Sequence, residues 1–129
     1  MTDMTQLFRL QNEISAFILQ LGNAEEKIER LETAKKSLSS EQEMLHDHKA
    51  KIKEPELDGD NWKGNEASEH EDIRNEMHSA YTDSQDKVEQ MLSSIETEIS
   101  NLRGEANRCS ATIATKESSL QLLRNRIVT

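Results

Sequence analysis

The sequence predicts an all-α protein: two long antiparallel helices in a coiled-coil hairpin, of a kind that completes a larger helical bundle with a partner. Three observations carry this. Apolar residues recur in steps of three and four through two long segments. Glycine and proline are scarce, at four and one residues, which suits uninterrupted helices. The chain's turn formers gather in one short stretch between the two segments.

The first segment reads Leu7, Leu10, Ile14, Phe17, Leu21, Ala24, Ile28 and Leu31, a seam of alternating heptad positions. It continues through Leu38, Leu45 and Ile52, with Lys35, Gln42 and Lys49 at the intervening positions. The seam therefore weakens toward Pro55. Proline disfavours helix at the residue before it, which places the first helix at about 5–54.

Pro55 to Asn65 (PELDGDNWKGN) forms the turn, and the second helix follows over about 66–127. Its seam begins with Ile73, Met77 and Ala80. Between Ser84 and Met91 the apolar frame slips by about one residue. It then settles into Leu92, Ile95, Ile99, Leu102, Ala106, Cys109, Ile113, Lys116, Leu120, Leu123 and Ile127. A connection this short forces the helices antiparallel. Residues 1–129 make one hairpin domain on this reading. The second helix, being longer, is expected to project beyond the first at its C-terminal end.

Charge follows the same plan. Residues 55–98 carry thirteen acidic and three basic side chains, and residues 99–129 carry two acidic and five basic. The second helix thus opposes its own dipole. A formal charge of -9 disfavours nucleic acid and anionic membrane, both of which reward basic surfaces. No apolar run is long enough to span a bilayer, and the N-terminus lacks the basic and apolar regions of a secretory signal. The expectation is a protein made in the cytoplasm without a Sec signal peptide.

Catalysis has little support. His46 and His48 point to different faces of a helix, and His70 and His78 lie about two turns apart, too far to share an ion unaided. Asp58-Gly-Asp60 has its glycine in the wrong place for a calcium loop. Cys109 sits on the apolar seam with no histidine near it in sequence. Catalytic residues, metal and cofactors are all read as none, and the protein as non-enzymatic.

Two helices bury only one seam, which leaves Ile18, Leu57, Val88, Leu122 and Val128 without cover and points to other chains as partners. The candidate partner-binding residues are Leu102, Ile113, Leu120 and Ile127, on the expected overhang. A homo-oligomeric coiled coil or a prefoldin-like holdase would satisfy the heptads equally well.

One feature exceeds generic coiled-coil design: Trp62-Lys-Gly64 in the turn. The indole would cover the open end of the hairpin, and Gly64 would let the backbone pass close to it or take a positive φ. With an acidic helical hairpin of this size around it, the motif resembles the WXG-type proteins of Gram-positive type VII secretion. The chain is most similar to the YwqH-like family, which is associated with LXG toxins. The resemblance runs through Lys27-Ile-Glu-Arg-Leu31, Ser39-Ser-Glu-Gln42, Ile52-Lys-Glu-Pro55, Trp62-Lys-Gly64 with Ala67, Asp72-Ile-Arg74, and Met77-His-Ser-Ala-Tyr81.

The resemblance implies an accessory protein or secretion chaperone that docks on the helical LXG region of a polymorphic toxin. It implies a turn motif of Trp62, Gly64 and Ala67, and a second small helical accessory protein as a further partner. His70 stands where the family tends to have an aromatic residue. Secretion signals of this system read Tyr-X-X-X-Asp/Glu, whereas Tyr81 is followed four residues later by Gln85. Co-export would then rely on a signal supplied by the partner.

Overall fold

The computed structural model describes residues 2–52 and 65–128. They form a helical hairpin of two helices, α1 (Thr2–Lys51) and α2 (Asn65–Val128). α1 opens before the first seam leucine because Met4, one step earlier, is already half-buried and Asp3 faces Arg126 at 3.6 Å. The turn motif residues Trp62 and Gly64 and the uncovered Leu57 lie outside the described residues. Ala67 falls in the first turn of α2.

The hairpin divides into two compact units, Met1–Glu32 with Thr97–Thr129 and Thr33–Glu96. The first holds most of the apolar interior. Ile14, Ile113 and Leu120 make one buried cluster, with Leu7, Leu10, Phe17 and Leu21 packed against it. Ala24, Leu102 and Ala106 make a second, with Leu21, Ile28 and Leu31 around it. Burial of such side chains is worth about 1.5–3 kcal/mol each, so this unit is where helix pairing gains most of its energy. Polar contacts line its edges. Gln20 Nε2 donates to Glu105 Oε1 at 3.1 Å, Lys116 Nζ meets Glu13 Oε2 at 2.6 Å, and Arg103 pairs with Glu32.

The second unit follows the same heptad geometry with a different interior. Lys35, Gln42 and Lys49 on α1 face inward, as their heptad positions require. Gln42 Nε2 donates to Glu89 Oε2 at 2.6 Å, and Lys49 Nζ donates to Gln85 Oε1 at 3.2 Å. Lys35 stands 3.4 Å from Glu96, and His48 meets Tyr81 edge-on, with ring centroids 6.5 Å apart. Among the described residues of this unit, Leu92 alone is a buried hydrophobic. Polar side chains at seam positions are satisfied only by reaching to the rim, which costs stability and fixes register.

Candidate functional site

The structure corrects the register expected for the first third of α2. Half-buried positions at Arg74, His78, Tyr81, Gln85 and Val88, with Thr82 beside Tyr81, lead directly into Leu92, Ile95 and Ile99. This is one unbroken alternation of three and four, with no slip between Ser84 and Met91. Ile73, Met77 and Ala80 sit one residue before inward positions and face solvent, Ile73 at 53% and Met77 at 46% exposure. The physical reason is continuity. An uninterrupted helix paired through Leu92–Leu123 keeps its phase backwards from Leu92, whichever side chains then fall inward. Val88, read from sequence as uncovered, is a seam residue.

The overhang expected at the C-terminal end of α2 is not found. Near the C-terminus of α2, Arg126 stands against Asp3 at the start of α1, so no overhang exists there. Near the C-terminus of α1, Lys49 meets Gln85, well inside α2.

The candidate partner-binding residues sort accordingly. Leu102, Ile113 and Leu120 are buried between the two helices of the first unit, at 5%, 9% and 9% exposure. They are covered by α1 within the chain itself, and would meet a partner only if α1 gave way. Ile127, at the end of α2, is exposed. The apolar side chains that face solvent are others: Phe8, Ile18, Leu19 and Leu122 in the first unit, and Met44, Ile73, Met77 and Met91 in the second. Sequence reasoning missed the second group because it read 73, 77 and 80 as seam. Stepping backwards from Leu92 by heptads would have shown them to be off it.

Among the described residues, no group of three or more His, Cys, Asp or Glu side chains is placed to hold a metal ion. Cys109 is buried on the seam. The hollow bordered by Gln42, Glu43, His46, Asp47 and Gln85, of about 380 Å³, is lined by polar surface side chains. His46 and His78 border a smaller one with Lys49 and Ala50. No helix among the described residues is long and apolar enough to cross a membrane.

What the molecule offers is helical surface, over both arms of one hairpin. The family model described as YwqH-like matches residues 5–125, nearly the whole of both arms and the connection between them. The chain belongs to the YwqH-like family. No curated protein and no solved structure matches it. The match spans the segments that carry the resemblance in the sequence, including Trp62 and Gly64. YwqH-like membership thus rests on the entire helical hairpin.

Proposed function

We propose that this YwqH-like protein is a non-enzymatic adaptor that binds the helical LXG region of a polymorphic toxin and supports its targeting or export by type VII secretion. The observation that carries the reading is the family match over residues 5–125, which takes in the Trp62-Lys-Gly64 turn along with both helices. The physical chemistry is in keeping with it. Among the described residues ten large apolar side chains are exposed, and where such side chains line up along one helix face the surface suits burial against another chain. Such an adaptor would be made in the cytoplasm, engage its toxin there, and leave the cell, if at all, on the toxin's signal. A second small helical accessory protein would complete the bundle.

Co-expression with a toxin that carries an LXG region tests the proposal. One complex containing both chains is expected on size-exclusion chromatography with light scattering, with or without the second accessory protein. Separate elution of the two chains would overturn it. A stable homotetramer, indifferent to the toxin and to Trp62→Ala, would overturn it in favour of a structural coiled coil.

A further inference from the structure

We infer that the α2 stripe formed by Ile73, Met77, Ala80 and Met91 is a docking surface for a basic amphipathic helix of another chain. The stripe arises from the register correction. These residues follow the heptad steps of the inward seam displaced by one position, a second line on the solvent side of the same helix that is apolar from Ile73 to Ala80 and resumes at Met91 after Ser84 and Lys87. Ile73, Met77 and Met91 are 53%, 46% and 51% exposed. From Ile73 to Met91 the line runs for about 27 Å at the rise of an α-helix, the length of about two and a half heptads of a partner. Two methionines give it a surface that adapts to an incoming side chain.

Charge selects the occupant. Between Glu66 and Glu89 the helix carries eight acidic side chains against two basic ones, Arg74 and Lys87. Arg74 is half-buried on the inward side. On the outer flank of the stripe, Glu69, Asp72, Glu76 and Asp83 are all exposed. An apolar line bordered by carboxylates matches a helix whose own apolar line is bordered by lysine or arginine, the pairing rule of coiled-coil flanks. A second copy of this chain docked stripe to stripe would set like charges against one another. Nucleic acid and anionic lipid are repelled for the same reason. The polar seam beneath the stripe adds a role for the occupant: a helix docked here would supply the second unit with apolar contact that α1, with Lys35, Gln42 and Lys49, does not provide.

This inference rests on the adaptor reading for the existence of a helical partner, and its test separates the two. The probe is a synthetic amphipathic helix of about three heptads with leucine on one face and lysine flanks. The control is the same peptide with glutamate flanks. Binding of each to the full-length protein is measured by fluorescence anisotropy. The lysine peptide is expected to bind, and the glutamate peptide to bind at least about tenfold more weakly.

Ile73→Ser with Met77→Ser should weaken the lysine peptide at least about tenfold, as should Glu76→Lys with Asp83→Lys. Phe8→Ser with Ile18→Ser, in the other unit, should leave it unchanged. All these side chains are exposed, so the urea midpoint of each variant checks that folding is intact.

Equal binding of both peptides, or binding indifferent to the stripe variants, overturns the docking surface. A toxin complex that survives Ile73→Ser with Met77→Ser at undiminished affinity overturns it while leaving the adaptor reading in place. Peptide binding at the stripe without any toxin complex does the reverse.

Discussion

Lys116 Nζ lies 2.6 Å from Glu13 Oε2 and 5.9 Å from the centroid of the Phe17 ring. Lys116 occupies an inward heptad position between Ile113 and Leu120. Its methylenes lie among apolar neighbours while its ammonium reaches the rim, where one carboxylate and one ring face receive it. Both charged side chains remain partly solvated, so the ion pair itself contributes little. Lys116→Ala should cost about 1 kcal/mol, chiefly through lost packing. Lys116→Leu should be neutral or stabilising, because an apolar residue of similar length removes the need to desolvate a charge. Urea denaturation of the two variants decides the point, and a Leu variant that loses as much stability as the Ala variant would show that the ion pair dominates.

Leu102 and Leu122 are both leucines of the first unit, at 5% and 69% exposure. Leu102 fills the space beside Ala24 and Ala106, where two small residues let the helices approach. Leu102→Ala should destabilise the hairpin by about 2–4 kcal/mol. Leu122→Ala should stay within about 0.5 kcal/mol of the parent protein. Thermal or urea midpoints measure both, and comparable losses would contradict the assignment of Leu102 to the interior.

Among the described residues, nine of the ten buried hydrophobics belong to the first unit and one, Leu92, to the second. Local opening is easiest where few apolar contacts oppose it. Amide exchange should therefore be slowest around Ile14–Ala24 and Ile99–Leu123, and faster by orders of magnitude around Lys35–Lys49 and Arg74–Val88. Gln42→Leu, which replaces a half-buried seam amide, should slow exchange in the second unit and leave the first unaffected. Uniform protection along both helices would show that the polar seam is no weaker than the apolar one.

The hairpin, its seam on α1 and its seam on α2 from Leu92 onward were legible because each inward position there carries an apolar side chain or a long aliphatic stem. The first third of α2 was not. Its inward residues are Arg74, His78, Tyr81 and Gln85, while Ile73, Met77 and Ala80 face out, so apolar identity pointed to the wrong face. Phase continuity from Leu92 was the stronger signal, since a helix without a bulge or stutter cannot rotate its seam. The missing overhang has a related cause. Helix length alone does not say where the ends meet; cross-helix register does, and Asp3 against Arg126 brings the end of α2 level with the start of α1.

Gly22 and Gly104 both lie inside helices, and sequence alone leaves open whether they are weak points or close-packing sites. At Gly22 an added Cβ would meet nothing within 4 Å, and at Gly104 its nearest neighbour would be the Arg108 guanidinium at 3.4 Å. Neither glycine is therefore needed for close approach of the arms. A mid-helix glycine costs about 0.5–1 kcal/mol relative to alanine through backbone entropy. Gly22→Ala should raise the unfolding free energy by about that amount, read as a higher urea midpoint with an unchanged denaturant slope. Gly104→Ala should gain the same or slightly less, because the flexible Arg108 side chain can yield without moving the backbone. A loss at Gly22 would mean that its face is covered by something other than α2. Repeating the measurement in the presence of the lysine-flanked peptide would then show whether the second unit's partner also shields the first.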